Sequence, residues 1–125
     1  MPTIIHFDIP ADDIERAKKF YTELFGWKIE KAPGPMEYLF ISTTNEKGEE
    51  GVGGGMTKRD KPHETITNFV DVPSVDEYSV KVEKLGGKVV VPKMTVPNFG
   101  YLAVCLDTEN NTFGLWESDP NSLAH

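Results

Sequence analysis

The sequence has little cysteine, no excess of basic residues and no long apolar run, and each shortage excludes a class of protein. The single cysteine, Cys105, cannot form an internal disulfide, which favours a reducing compartment. The net charge of −7 repels nucleic-acid phosphates and anionic membrane surfaces. No segment is long and apolar enough to span a bilayer, and the first residues lack a signal-peptide pattern. We therefore expect a cytoplasmic protein that binds neither nucleic acid nor membranes.

The strongest pattern in the chain is an internal duplication. Residues 3–27 and residues 65–89 each contain an apolar strand, a capped amphipathic helix and a glycine stop, followed by further strand-like segments. A chain of 125 residues supports one compact core, so we expect both copies to share a single domain. The predicted divisions are module one at 1–57, a charged linker at 58–64 and module two at 65–120.

Capping patterns and glycines indicate where the helices begin and end. Asp12 opens a capping box that predicts a helix at 13–25, and Ser74 opens a second one that predicts a helix at 75–85. The predicted strands are 4–9, 27–30, 37–43, 51–57, 66–72, 88–91, 101–107 and 112–117. Each copy therefore has the order βαβββ, and the predicted fold class is α+β, with the helices on one side of the sheet.

These features together resemble one known family. The helix text ERAKKFYTELFGW, the glycine-rich strand GVGGGM and the terminal segment DTENNTFGLWESDP are similar to those of the glyoxalase I, bleomycin-resistance and extradiol-dioxygenase proteins, also called the vicinal oxygen chelate superfamily. The resemblance covers nearly the whole chain. It implies two tandem βαβββ modules that form one U-shaped eight-stranded sheet cavity with the helices outside. It also implies a homodimer, a small-molecule ligand and commonly a divalent metal that chelates neighbouring oxygens of a substrate.

The resemblance also implies where metal ligands would stand, on the first and last strands of each module. His6 on the first strand and Glu117 on the last strand occupy two of these places, and their chemistry suits zinc, nickel, manganese or iron. Counted from the helix starts, the position in module two that corresponds to His6 is Thr67. The position in module one that corresponds to Glu117 falls within the glycines at 53–55. Asp8 shares the face of His6 by strand alternation and is the preferred substitute. The predicted metal set is therefore His6 and Glu117, which is incomplete, and Glu117 is also the candidate catalytic carboxylate.

Strand alternation indicates the walls of the expected pocket. Counted from Glu117, Phe113 and Leu115 share the pocket face, while Trp116 lies on the helix side. In the other module-opening strand, Phe69 shares the face of Thr67. The predicted ligand-binding residues are Asp8, Gly54, Gly55, Thr67, Phe69, Phe113 and Leu115.

The glycine run at 53–55 and the aromatic residues each have two interpretations. A strand glycine marks close approach by a ligand or a neighbouring backbone, and a bulge or a subunit contact explains it equally well. Tyr38 is one of several aromatic residues that either line the pocket or fill the core.

Two functions stay open on the sequence alone, and a module whose partner is another gene product is a third possibility. A metal-dependent lyase, isomerase or dioxygenase of the glyoxalase type would hold a metal with His6 and Glu117, and a carboxylate would move a proton. A metal-free protein like the bleomycin-resistance proteins would instead sequester a small molecule through aromatic and polar contacts. The missing ligands favour the binding protein, whereas the retained His6 and Glu117 favour the enzyme. The sequence does not identify a substrate.

Overall fold

The structure, a computed structural model, describes residues 1–33 and 37–122. The fold class is α+β, with eight strands and two helices in that part of the chain. In chain order the elements are β1 Ile4–Ala11, α1 Ile14–Phe25, β2 Lys28–Lys31, β3 Tyr38–Ser42, β4 Gly53–Lys58, β5 Thr67–Asp71, α2 Val75–Lys84, β6 Lys88–Val96, β7 Gly100–Leu106 and β8 Thr112–Ser118. Neither of these helices is long and apolar enough to cross a membrane.

The chain divides into two compact units, and each contains one βαβββ sequence of elements. In the N-terminal unit, residues 6–66, the strand order is β2-β3-β4-β1, with β1 parallel to β4 and the other pairs antiparallel. In the C-terminal unit, residues 1–5 and 67 onward, the order is β5-β8-β7-β6, with β5 parallel to β8. The same parallel pairing of first and last strands therefore occurs in both units.

Helix α1 is capped one residue later than the sequence predicted. The Asp13 carboxylate accepts the backbone N–H of Arg16 at 3.0 Å, so Asp13 and not Asp12 is the N-cap. At the other end Gly26 has a left-handed φ of 73°, and its N–H donates to the carbonyl of Thr22 at 2.9 Å. Glycine adopts this conformation without strain, so it ends the helix where the pattern predicted.

Helix α2 and strand β6 show one confirmed prediction and one error. The Ser74 hydroxyl accepts the backbone N–H of Glu77 at 3.1 Å, which is the predicted cap. Strand β6 continues to Val96, although a loop was predicted after residue 91. Its register against β7 shifts between Val91 and Met94, and this irregularity accommodates Pro92 inside the strand.

Each unit has its own hydrophobic core, built between its strands and its helix. The N-terminal core contains Ile9, Ala11, Ile29, Leu39, Ile41 and Met56, with Ile14, Ala17 and Tyr21 of α1 packed against it. The C-terminal core contains Val72, Val75, Ala103, Cys105 and Leu115, with Tyr78 and Val82 of α2 packed against it. The core residues of each unit lie on the strand face that packs against its helix. Because strand side chains alternate, the residues between them lie on the opposite face, which is called the helix-free face below.

Candidate functional site

Strand β1 separates apolar from polar side chains. Phe7, Ile9 and Ala11 pack with the N-terminal core, so His6 and Asp8 lie on the helix-free face. Both are partly buried, with 30% of each side chain exposed. They point away from α1, as predicted from alternation, and their roles in binding stay predictions.

His6, Asp8 and Tyr38 are joined to one another by hydrogen bonds, and these three residues are called the polar cluster below. The Tyr38 hydroxyl, carried by β3, donates to Asp8 Oδ1 at 3.0 Å. His6 Nε2 lies 2.9 Å from the same oxygen and 3.0 Å from the Tyr38 hydroxyl. Because a carboxylate only accepts, the network assigns a proton to His6 Nε2, which donates to Asp8. Within the described chain, the second carboxylate oxygen of Asp8, Oδ2, accepts no hydrogen bond from protein.

The environment of Tyr38 keeps its hydroxyl protonated. Burial and, after it, the neighbouring Asp8 carboxylate raise the pKa of the Tyr38 phenol above its usual range. A phenolate beside the carboxylate would place two negative charges within hydrogen-bond distance. Tyr38 is therefore a neutral donor under ordinary conditions, and it donates to the Asp8 carboxylate.

Strand β4 provides the space that Tyr38 occupies. Gly55 is the register partner of Asp8 across the parallel β1–β4 pair. A Cβ atom on Gly55 would lie 1.8 Å from the Tyr38 hydroxyl oxygen and 2.1 Å from Cζ of the same ring. A close approach occurs at Gly55, but the approaching group is the Tyr38 side chain, whereas the sequence predicted a ligand or a neighbouring backbone. Its predicted contact with a ligand stays a prediction.

Gly54, also predicted to bind ligand, faces the other way. Met56, two residues along β4, belongs to the N-terminal core, so Gly54 points towards α1. A Cβ atom there would lie 2.4 Å from the Phe7 carbonyl oxygen and 2.7 Å from the Phe7 ring. The orientation predicted for Gly54 is wrong, because consecutive strand residues face opposite sides and only Gly55 shares the face of Asp8.

An exposed aromatic ring lies beside the polar cluster. Phe40 follows Tyr38 by two residues on β3 and so shares its face. The two rings meet edge to face, with centroids 5.4 Å apart, and Phe40 is 42% exposed. Around the polar cluster, the helix-free face of the N-terminal unit thus combines the Asp8 carboxylate, two hydrogen-bond donors and an accessible apolar surface.

Two surface concavities of the N-terminal unit lie elsewhere. They measure about 420 and 390 Å³, and both are lined by residues around the start of α1, including Asp12 and Asp13. Neither includes a member of the polar cluster. Asp13 caps α1, and Asp12 accepts from Arg59 Nε at 3.0 Å, so these groups have structural partners. The chemistry therefore favours the polar cluster as the site over these two concavities.

Glu117 in the C-terminal unit caps a helix. Its Oε1 accepts the backbone N–H of Val75, the first residue of α2, at 2.9 Å. The carboxylate satisfies an N-terminal donor and lies at the positive end of the helix dipole. Leu115 is 2% exposed in the core with Val75, and Phe113 packs against that core.

The orientation predicted for Phe113, Leu115 and Glu117 is therefore wrong. All three lie on the side of α2, and Trp116, predicted on that side, lies on the opposite face by alternation. Alternation indicates which residues share a face and leaves open which face that is. The pocket face of β8 was assigned by assuming that Glu117 points into a pocket. Because that assumption is wrong, the face predicted for every residue of β8 is wrong as well.

Thr67 and Phe69 have the predicted orientation. Val70, the residue after Phe69 on β5, packs on the side of α2, so by alternation Phe69 and Thr67 lie on the helix-free face of the C-terminal unit. The Phe69 ring covers Gly114, its register partner on β8. A Cβ atom on Gly114 would lie 2.1 Å from a ring carbon of Phe69. Gly114 has no side chain, so it contributes no polar group to a ligand site beside Phe69.

The donor set of the polar cluster does not fit a catalytic metal. In residues 1–33 and 37–122 no three His, Cys, Asp or Glu side chains are grouped to hold a metal ion. His6 Nε2 carries a proton, and Asp8 Oδ1 already accepts two hydrogen bonds. A catalytic zinc usually has three protein ligands and an open position. One imidazole, one carboxylate and a neutral phenol do not make such a set.

Sequence reasoning missed the role of Tyr38. It was recognised only as one of many aromatic residues, because its role depends on the pairing of β3 with β4 and of β4 with β1. That pairing brings residues 8, 38 and 55 together, although they are far apart in the chain. The available signal was the glycine at position 55, which indicated that some group approaches the strand there.

Comparisons with known proteins decide the family. Residues 3–44 match the family model described as bleomycin resistance protein-like N-terminal. A glyoxylase-like domain-containing protein of Didymella fabae is 30% identical over 115 residues, which cover 86% of this chain and 88% of that protein. The chain belongs to the vicinal oxygen chelate superfamily. A putative glyoxylase of Mycobacterium tuberculosis is 28% identical over 115 residues, which are 90% of this chain and 44% of that protein. The chain thus spans about half the length of some curated relatives.

A solved structure agrees with the superfamily fold. Methylmalonyl-CoA epimerase of Streptomyces coelicolor, determined in complex with 2-nitronate-propionyl-CoA, superposes with a TM-score of 0.70. The match covers 97% of each chain, at 11% sequence identity. At this identity the likeness shows the superfamily fold alone, and the function of this member needs its own argument.

Proposed function

We propose that this member of the vicinal oxygen chelate superfamily binds a small organic molecule on the helix-free face of its N-terminal unit, as a bleomycin-resistance-like protein without a catalytic metal. The polar cluster of His6, Asp8 and Tyr38 carries the proposal. Its members are joined at 2.9–3.0 Å, partly buried and beside an exposed aromatic ring. Ligand sites combine a few fixed polar groups with apolar surface in this way.

The pre-organisation of the polar cluster supports binding. Two donors converge on one Asp8 oxygen, so all three side chains are held in place before a ligand arrives. The steric fit of Tyr38 over Gly55 fixes the ring further. All three members also lie within residues 3–44, the segment that matches the bleomycin-resistance-like model.

The proposal is tested by mapping where a neutral probe binds. We expect phenol, which both donates and accepts, to shift amide signals of β1, β3 and β4 in a ¹⁵N NMR titration. His6→Ala should weaken this binding, whereas His63→Ala, a matched change in the exposed linker, should leave it unchanged. Shifts confined to the start of α1, or no saturable shifts, would contradict the proposal. Metal-free bleomycin titrated in the same way tests the more specific resistance-like role.

A metal-dependent enzyme of the glyoxalase type is the second candidate. The relatives named as glyoxylases favour it, and His6 with Asp8 would supply two of the ligands for zinc, nickel, manganese or iron. Calorimetric titration with each of the four divalent ions tests it. Saturable uptake that is lost in His6→Ala and kept in His63→Ala would favour the enzyme over the metal-free binding protein.

We also propose a cytoplasmic homodimer. The superfamily resemblance supports the dimer, and the single cysteine supports a reducing compartment. Light scattering at micromolar concentration tests the assembly: a mass of twice 14.0 kDa is expected, and a monomer would contradict it.

A further inference from the structure

We propose that the ligand of the polar cluster is an organic cation, a protonated amine attached to an apolar or aromatic group. The inference rests on the proposed function and specifies the ligand class of the same site. It starts from the Asp8 carboxylate, whose Oδ1 accepts both hydrogen bonds of the cluster while Oδ2 accepts none within the described chain. The site therefore presents an acceptor to a donor from outside.

The charge balance of the polar cluster selects a cationic donor. Across the described residues, the ion-pair partner of Asp8 is His6, which compensates the carboxylate only when the imidazole is protonated. Tyr38 stays a neutral phenol because burial and Asp8 raise its pKa. Among the described residues no lysine or arginine forms an ion pair with Asp8, so the negative charge of this partly buried carboxylate has no permanent cation beside it. An ammonium group offsets that charge and donates to Oδ2, whereas an alcohol only donates.

The surroundings of Asp8 match the rest of such a ligand. Phe40 is 42% exposed on the same face, next to the Tyr38 ring. Aromatic rings attract cations and pack against hydrocarbon. The net charge of −7 further favours the approach of cations and disfavours anionic ligands. A ligand with a carboxylate or phosphate group would be repelled by Asp8 and by the net negative charge of the protein.

Three probes of one shape and different charge test the ligand class. We expect benzylamine to bind more tightly than benzyl alcohol, and benzoate to give no saturable shifts, in ¹⁵N NMR titrations followed at β1, β3 and β4. Asp8→Asn keeps the size of the side chain and removes its charge, and it should weaken benzylamine binding by about tenfold or more. Binding of benzyl alcohol should change little. Asp60→Asn removes the same charge from the linker and should leave benzylamine binding unchanged.

The outcomes separate this inference from the proposed function. If benzyl alcohol or benzoate binds at the cluster as tightly as benzylamine, the site binds small molecules and the cation proposal is overturned. The same holds if Asp8→Asn and Asp60→Asn behave alike. If none of the three probes binds at β1, β3 or β4, both proposals fail. Should Asp8→Asn not fold, the ranking of the probes on the unaltered protein decides the matter.

Discussion

The replacement of Gly55 by Ala tests the steric basis of the polar cluster. The new Cβ would lie 1.8 Å from the Tyr38 hydroxyl oxygen, whereas ordinary contacts begin at 3.4 Å. The tip of the ring must therefore move by about 1.6 Å, a displacement that takes the hydroxyl out of its 3.0 Å hydrogen bonds to Asp8 and His6. Tyr38 lies on a strand surface, so its ring can rotate outward without unfolding the sheet.

The expected cost follows from the bonds that are lost. A hydrogen bond to a charged group contributes about 1.5–3 kcal/mol to stability, and the displaced hydroxyl regains part of this from water. Replacing glycine by alanine in a strand contributes about 0.5–1 kcal/mol in the opposite direction. We therefore expect Gly55→Ala to lower the free energy of unfolding by about 1–2 kcal/mol. Urea denaturation followed by circular dichroism measures this difference.

A double-mutant cycle shows whether Tyr38 is the cause. In a Tyr38→Ala background the ring is absent, so Gly55→Ala should be neutral or stabilising by up to about 1 kcal/mol. Gly53→Ala is a control on the same strand face, because its Cβ would meet only the Ile41 carbonyl, at 3.2 Å. Equal destabilisation by Gly55→Ala with and without Tyr38 would refute the steric argument.

Three further predictions concern other titratable groups. Glu117→Ala should lower the free energy of unfolding by about 1 kcal/mol, measured in urea, because the Val75 N–H loses its cap, while Glu117→Gln should retain most of it. The raised pKa of Tyr38 means that the folded state holds the phenol proton more tightly than the unfolded chain. Its stabilising contribution is thus present below pH 10.0 and declines above it, and Tyr38→Phe should flatten that alkaline decline in urea midpoints. Burial raises the pKa of the Cys105 thiol, so Ellman's reagent should react with it only as fast as the protein unfolds.

The fold could be predicted well because its signals are local. Caps, glycine stops and apolar periodicity depend on neighbouring residues, so they placed both helices to within one residue and gave the order of all eight strands. The largest error was the end of β6. A proline such as Pro92 is disfavoured inside a strand, so the sequence predicts that the strand ends before it. The shifted register against β7 shows that β6 continues past Pro92.

The candidate site was predictable only in part. On β1, polar residues alternate with Phe7 and Ile9, so composition alone indicates which face meets the core. On β8, both faces are apolar, with Phe113 and Leu115 on one and Trp116 on the other. The pattern there separates the faces without assigning them. Packing against α2 shows that Phe113 and Leu115 face the core, and the sequence of β8 alone does not indicate which face does so.

Comparison of equivalent positions explains why the N-terminal unit carries the polar site. Asp8 and Phe69 each stand five residues before the capping residue of their helix, and each pairs with a glycine, Gly55 or Gly114. In the C-terminal unit the Phe69 ring itself covers its glycine, so the position is apolar and closed. In the N-terminal unit Asp8 leaves its glycine open, and Tyr38 fills the space from a neighbouring strand. The same backbone pairing therefore supports a hydrophobic contact in one unit and a hydrogen-bonded carboxylate in the other, and only the second offers an acceptor to a ligand.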